Sequence, residues 1–276
     1  MFSTWLSRWK LIPDGVPIET HTSHLLPVTT IHGGKKAILK LTDDDSERTG
    51  CQLMAWWNGK GAARVLAHEN GAILLERATG VGSLAEMSRS GEDAQACRLI
   101  CHTARRLHVA PDASTPELTP LEHWFRDLEP VALLHGGIML RCALAAKVLL
   151  SCPQDVVVLH GDVHHGNVLD FGPSGWLAID PKGLLGERGF DYANIFTNPD
   201  LAEPGIGIAI DPSRFTQRVN IVSEAAGLER ERLLLWIAAW CGLSSAWFLQ
   251  DGGSAAIPLH VAELAFAALD PGSLQL

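Results

Sequence analysis

The stretch from Val156 to Asp180 constrains this chain more than any other. An unbroken apolar run, Val156-Val157-Val158-Leu159, reads as a buried strand. It opens at once into His160-Gly161-Asp162-Val163-His164-His165-Gly166-Asn167. A hairpin follows, with Gly172-Pro173-Ser174-Gly175 as its turn and Trp176-Leu177-Ala178-Ile179 as its second strand, ending on Asp180-Pro181. A strand that ends in carboxylate, imidazole and carboxamide groups is placing chemistry at its tip. Two chemistries fit: a metal cage, or a phosphotransfer loop.

The cage would use His160, Asp162, His164 and His165, since imidazole and carboxylate suit zinc or iron. The order H-x-D-x-H-H departs from the familiar H-x-H-x-D-H. Further histidines such as His102 and His123 lie in helical patterns with no recurring spacing. Phosphoryl transfer needs a carboxylate to orient the attacking hydroxyl, oxygen ligands for Mg²⁺ and a cation on the phosphates. Asp162 and Asn167 stand five residues apart in one loop, Asp180 closes the hairpin that follows, and Lys40 lies in the upstream strand Ala37-Ile38-Leu39-Lys40-Leu41. Those four residues fall in the order and the element types that protein kinases use.

The remainder of the chain agrees with this placement. The first 40 residues read as strands joined by tight turns, with His32-Gly33-Gly34-Lys35 as a hairpin turn. Asp43-Asp44-Asp45-Ser46 offers N-caps for a helix running to about Trp57. Strands near 63–67 and 72–76 lead into Arg77-Ala78-Thr79-Gly80. Beyond them, Cys97, Ile100, Cys101, Ala104 and Leu107 recur at helical spacing within residues 95–108. Helices are expected near 121–134 and 138–150, and through most of the chain after Asp180. The expected architecture is α+β and two-lobed: a strand-rich N-terminal, nucleotide-binding lobe over residues 1–77, and over residues 78–276 a mainly helical C-terminal lobe with the catalytic loop and substrate site.

With 47% apolar and 19% charged residues over 276 positions, there is ample material for a globular core. The net charge of −9 comes from the chain beyond residue 80. That imbalance disfavours nucleic acid and anionic membrane surfaces and would attract a cation, although solvated acidic helices account for it equally well. The six cysteines form no CxxC pair, and Cys97 and Cys101 sit one turn apart as expected buried thiols. Residues 1–11 lack the continuous apolar core of a secretory signal, so a reducing cytoplasm is the expected compartment. Residues 233–249 are uncharged and as a helix would be about 26 Å long. Gly242, Ser244 and Ser245 interrupt that segment and tryptophans run along it, which favours a buried core helix over a membrane span.

The pattern H-G-D-x-x-x-x-N followed by Ile179-Asp180 resembles the signature of the aminoglycoside phosphotransferase and choline-kinase superfamily. The fuller run LHGDVHHGNVLDFGPSGWLAIDPKGLLGERGFDYANIFTNPD is similar to the streptomycin 6-kinases in particular. The likeness covers nearly the whole chain, including WW-x-G-x-G-A at 56–62, LLERA at 74–78 and the late Trp-rich helix. It implies a protein-kinase-like fold, ATP and Mg²⁺ as cofactors, and a small cationic acceptor. By the same resemblance Asp162 is the catalytic base, Asn167 and Asp180 bind Mg²⁺, and Lys40 contacts the α/β-phosphates with Glu47 of the following helix holding it. The Glu76 carbonyl and Ala78 amide would face adenine. Ser23, by hydroxyl or amide, would stand in for the glycine loop that this chain lacks, while His160 and Asp191 would support the catalytic loop.

Ordinary readings stay beside these: a turn cap for Asn167, a strand-end lysine at 40, a first-turn acid at 47 stabilised by the helix dipole, a plain strand-end serine at 23. Pro181, where protein kinases have Phe-Gly, implies a permanently assembled site. Streptomycin carries two guanidinium groups, which pair with carboxylates. Glu187, Asp200, Glu203 and Asp251 are the candidate partners, and His165 is a further residue expected to face the acceptor. The implied reaction is phosphorylation of the 6-hydroxyl of streptomycin, giving antibiotic resistance, in a monomer or weak dimer. A kinase of another small metabolite, a non-catalytic nucleotide binder and the metallohydrolase remain the alternatives.

Overall fold

The computed structural model describes residues 1–20, 22–69, 71–111, 113–202 and 207–269. The chain begins with a helix, α1 (Ser3–Arg8), where strands were expected. Its Trp5 ring and the Trp9 ring just beyond lie 4.7 Å apart, and with Phe2 and Leu6 they cover the back of the first sheet. That apolar stripe has a sheet face to bury against, which is what stabilises so short a helix.

Strands β1 (Leu11–Pro13), β2 (Ile18–Glu19), β3 (His24–Thr30) and β4 (Lys36–Leu41) come next, and helix α2 (Asp45–Trp57) leads on to β5 (Val65–Glu69) and β6 (Ala72–Glu76). Among the described residues these strands form one antiparallel sheet in the order β1-β3-β4-β6-β5, with β2 added to β3. The two-residue period of a strand decides what each face of β4 does. Ala37, Leu39 and Leu41 pack with Leu26, Val28 and Leu74 beneath α1. Ile38 and Lys40 point the other way, into a cleft that Ile73 and Leu75 also line. The strand expected at 63–67 is displaced by two residues, because Ala62 pairs with Ala178 across the molecule, the Ala63 amide donating to the Ala178 carbonyl instead of continuing β5.

Helices then dominate: α3 (Leu84–Arg89), α4 (Asp93–Leu107), and, after β7 (Thr119–Pro120), α5 (Leu121–Trp124), α6 (Leu128–His135) and α7 (Gly137–Ser151). The single helix expected over 121–134 is interrupted by a 3₁₀ turn at Phe125–Asp127. Pro130 accounts for this, since its ring would meet the carbonyl of residue 126 in a continuous helix. Strands β8 (Val156–Leu159), β9 (Val168–Asp170), β10 (Trp176–Ala178) and β11 (Leu184–Glu187) carry the loop singled out in the sequence. β9 and β10 form the expected hairpin, and β11 pairs with β8. The chain continues through α8 (Phe190–Ala193), α9 (Pro212–Ala226), α10 (Arg230–Gln250) and α11 (Ala256–Ala268).

Helix α10 is apolar all round because it is surrounded. Residues from Leu233 to Ala246 are buried in the main helical core, with side chains of α6, α7, α8 and α11 about them. Cys97 and Cys101 are buried free thiols, and burial pushes Cys97 up to about 12. A second apolar cluster ties the two halves together: Met54, Trp57, Ile73 and Leu75 pack with Phe171, Leu177 and Ala178 of the hairpin. At the seam, α2 lies so close to the loop after β10 that a Cβ on Gly50 would stand 2.2 Å from the Pro181 carbonyl oxygen. That approach brings the first turn of α2 against Asp180.

Candidate active site

The sheet and the hairpin enclose a cleft of about 430 Å³. Leu25, Ile38, Ile73 and Leu75 form one wall and Leu169, Phe171 and Ile179 the other, so a flat apolar ring fits between them. Glu76 and Ala78 line the same cleft, and the Ala78 amide has no hydrogen-bond acceptor among the described residues. The Glu76 carboxylate accepts from the Arg64 amide, 2.8 Å from its Oε1.

The other end of the cleft is ionic. Lys40, 8% exposed, donates to both Glu47 and Asp180. Lys182 reaches the same two carboxylates at 3.3 Å each. Burial pushes the Lys40 ammonium down, but the charges of Asp180 and Glu47 outweigh it and hold Lys40 above its ordinary value. Burial likewise opposes ionisation of Asp180, yet the two lysines bring it to about 2. Asp180 sits at φ 62°, a left-handed conformation that aspartate tolerates better than most residues. Its carboxylate projects back toward β4 as a result. Lys182 was absent from the sequence expectations, and its only signal was its place two residues after Asp180.

Ser23 lies at the rim, in a turn where its amide donates to the Thr20 hydroxyl at 3.0 Å. The amide is therefore committed, while the Ser23 hydroxyl is buried and has no hydrogen-bond partner among the described residues. An orphaned hydroxyl in the cleft wall, beside a lysine and two carboxylates, fits a phosphate-bearing ligand with a divalent cation. Asn167 and Asp180 carry hard oxygen donors of the type that would suit Mg²⁺.

The loop between β8 and β9 is held from below by Asp191. Its Oδ1 accepts from the Gly161 amide at 2.7 Å, and its Oδ2 from the His160 amide at 3.0 Å and the His108 ring at 2.9 Å. Burial opposes the charge, but these donors, His108 first among them, hold Asp191 below the ordinary carboxylate value. Gly161 has φ 86°, and a Cβ there would stand 2.8 Å from Leu184, so only glycine serves. His160 is fully buried, donates from Nε2 to the Ile179 carbonyl at 2.8 Å and accepts from the Asp162 amide at 3.2 Å. Burial keeps its ring neutral.

Asp162 is thereby presented at the loop's edge. Asn167 Nδ2 donates to its Oδ2 at 3.1 Å, and Asn194 Nδ2 donates to its Oδ1 at 2.8 Å. Asn194 and His108 were also absent from the sequence expectations. Asn194 reaches the loop directly and His108 through Asp191, each from a distant segment, so no local pattern marks them.

Asp162 lines a second cleft, of about 330 Å³, with His164, Asn194, Asn198, Trp240, Trp247, Phe248 and Asp251. Of the four carboxylates expected to meet the acceptor, Asp251 stands in this cleft. Glu187 is a correction: its carboxylate is 2% exposed, and it is bound by Arg232 Nε at 2.6 Å and the Trp236 indole at 2.7 Å. Asp200 is a second correction: it too is 2% exposed and accepts from the Ala209 amide at 2.8 Å. Glu203 falls outside the described residues. His165 is the third correction, 3% exposed, with both ring nitrogens lacking a hydrogen-bond partner and with burial holding its protonation well below the usual range. Adjacent loop residues point opposite ways, and it is His164 that faces the cleft. The metal cage fails for the same reason. The imidazoles turn apart, and among the described residues no group of three or more His, Cys, Asp or Glu is arranged to hold an ion.

Comparison with known proteins places this geometry. Residues 8–252 match the profile of the aminoglycoside/hydroxyurea antibiotic resistance kinase family. A streptomycin 3''-kinase from Klebsiella pneumoniae is 51% identical over 96% of this chain and 100% of its own length. A streptomycin 6-kinase from Streptomyces griseus is 30% identical over 93% of this chain and 85% of its own. Among solved structures, a thermostable mutant of an aminoglycoside phosphotransferase, in ternary complex with AMP-PNP and hygromycin B, superposes with a TM-score of 0.67. That likeness covers 96% of this chain and 97% of the other at 13% identity, and it shows the protein-kinase-like fold.

Proposed function

Since the chain belongs to the aminoglycoside/hydroxyurea antibiotic resistance kinase family, we propose that it transfers the γ-phosphoryl group of Mg-ATP to a hydroxyl of streptomycin. The observation that carries this reading is the position of Asn167. It lines the nucleotide-sized cleft and at the same time holds Asp162, which lines the second cleft. Donor and acceptor would meet where those two side chains touch. On this reading residues 1–77 form the nucleotide-binding lobe and residues 78–276 the helical lobe that carries the catalytic loop and the acceptor site.

In this mechanism the adenine lies between the apolar walls, against the Glu76 carbonyl and the Ala78 amide. Lys40, kept charged and oriented by Glu47, holds the α/β-phosphate oxygens, and the Ser23 hydroxyl takes another. Asn167 and Asp180 would hold Mg²⁺, which when bound would neutralise charge on the phosphates. Asp162 accepts the hydrogen bond of the acceptor hydroxyl, aims it at phosphorus and takes its proton as the new O–P bond forms. Asp251 and the faces of Trp240 and Trp247 suit a guanidinium, by ion pairing and by cation–π contact.

The 3''-hydroxyl is the favoured position. Identity to the 3''-kinase is 51% with its full length covered, against 30% to the 6-kinase. Phosphorylation at the 6-hydroxyl, which the catalytic-loop resemblance implied, is the second reading. Both are tested by measuring ADP release from Mg-ATP with streptomycin, other aminoglycosides, choline, homoserine and hydroxyurea, for the wild type and Asp162→Asn. The phosphorylated product is then mapped by ³¹P–¹H correlation NMR. Streptomycin-stimulated release lost in the variant supports the reaction, and the coupled proton decides the position. Nucleotide binding with no stimulation by any compound would remove streptomycin as the acceptor. Absence of nucleotide binding would remove phosphotransfer altogether.

A further inference from the structure

We infer that Asn194 is a positioning residue that fixes the plane of the Asp162 carboxylate, an inference that rests on the reading of Asp162 as the group orienting the acceptor hydroxyl. Asn194 opens a 3₁₀ turn, Asn194–Phe196, directly after α8, and is 3% exposed. It lies thirty-two residues from Asp162 in sequence and touches it at 2.8 Å.

The orientation of its amide follows from its neighbours. Asn198 Nδ2 donates to the Asn194 main-chain carbonyl at 3.1 Å, so the nitrogen of Asn198 is on that side. The same nitrogen lies 2.8 Å from the Asn194 side chain, which must therefore present its oxygen there. The Thr197 hydroxyl, at 3.3 Å, donates to that oxygen too. Asn194 Nδ2 is left facing Asp162, and it can only donate.

The turn that carries Asn194 is clamped from behind. Arg218 is buried and donates to the main-chain oxygens of Ile195 at 2.9 Å and Asn198 at 2.7 Å. Its remaining nitrogens fork onto Asp93 at 2.9 and 2.7 Å. This two-pronged arrangement fixes direction as well as distance. A buried ion pair between α4 and α9 thus ends in a single amide aimed at the loop carboxylate.

With Asn167 alone on Oδ2, the carboxylate of Asp162 would be free to swing about its terminal bond. A second neutral donor on Oδ1 holds both oxygens in one plane without the charge neutralisation that a lysine or arginine would bring. His164 Nε2, at 3.8 Å from Oδ1, is too distant to do this. The arrangement leaves Asp162 aligned before substrate arrives, so that no rotational freedom is lost at the chemical step.

The test uses Asn194→Ala and Asn194→Asp in the full chain. The aspartate keeps an acceptor for Asn198 and Thr197 but sets a carboxylate oxygen where the donor to Asp162 stood, turning an attraction into a repulsion, and the thermal midpoint shows whether each variant folds. Each variant is assayed for kcat and KM with Mg-ATP and acceptor, for thermal midpoint and for nucleotide affinity. A crystal structure of one of them is compared with that of the wild type. The expected result is a fall in kcat of about 10- to 100-fold, with KM for Mg-ATP and nucleotide affinity unchanged and the Asp162 carboxylate turned from its wild-type plane. Unchanged kcat, or loss of kcat and nucleotide affinity together, would overturn the inference. If the wild type turns over no acceptor, the functional reading falls, and the crystal structure still decides: a rotated carboxylate supports positioning and an unmoved one refutes it.

Discussion

The two ends of the catalytic groove are built from different materials. At the nucleotide end, two lysines and two carboxylates share one another's charges across β4, α2 and the loop after β10. At the acceptor end, Asp162 is held by two carboxamides, and the loop beneath it by main-chain amides on Asp191. A cluster of full charges can exchange partners, since a phosphate or a divalent cation can take the place of any member. A lattice of neutral donors cannot do so without leaving groups unpaired. The contrast separates a region suited to binding and releasing a charged ligand from one suited to holding a single atom still.

Removing the charge of Asp162 acts first at the acceptor end, where its carboxylate meets Asn167 and Asn194. Asp162→Asn should lower kcat by about 10²- to 10⁴-fold while leaving nucleotide affinity intact, measured by steady-state ADP release and by calorimetry with a non-hydrolysable ATP analogue. Loss of nucleotide binding in that variant would break the separation. At the charged end, Lys40→Met keeps the aliphatic stem and should reduce kcat/KM for Mg-ATP by about 10²-fold. It leaves Glu47 and Asp180 with Lys182 as their shared lysine, so the thermal midpoint should fall too. Asp251→Asn sharpens the comparison within the acceptor cleft: KM for streptomycin should rise about tenfold, with KM for Mg-ATP unchanged.

The smallest expected effect is on stability with pH. His160 and His165 are buried and neutral, held below their ordinary values first of all by desolvation. In the unfolded chain such rings take up protons near pH 6.5. Below that pH the unfolded state binds more protons than the folded one, so stability is full above about pH 6.5 and declines as pH falls, by at most about 1.4 kcal/mol per pH unit for each ring. Thermal denaturation between pH 5 and 8 would show the decline, and His165→Phe should flatten it. A variant with the wild-type slope would show that His165 is protonated in the fold.

Much of the site was legible because it is local. Asp162, Asn167 and Asp180 are ordered along one strand–loop–hairpin, and the alternation of β4 turns Lys40 away from Leu39 and Leu41. The acceptor side was poorly legible. Glu187, Asp200 and Asp251 are indistinguishable as acidic letters, and their fates depend on Arg232, the Ala209 amide and an open cleft respectively. His164 and His165 differ only in which way the loop turns each ring. The helix at Ser3–Arg8 was missed since its apolar stripe has meaning only once a sheet lies beneath it.

By itself the sequence determined the chemistry available to this protein and the order of its parts. A run of residues whose types and spacing serve phosphoryl transfer is a local property of the chain, as are strand alternation and helical periodicity. Which charges are paired away, which face a cleft, and the meeting of Asn194 with Asp162 follow from how the elements pack. Those outcomes rest on contacts between segments far apart in sequence. Burial and hydrogen bonding there are set by packing, which residue type alone does not encode.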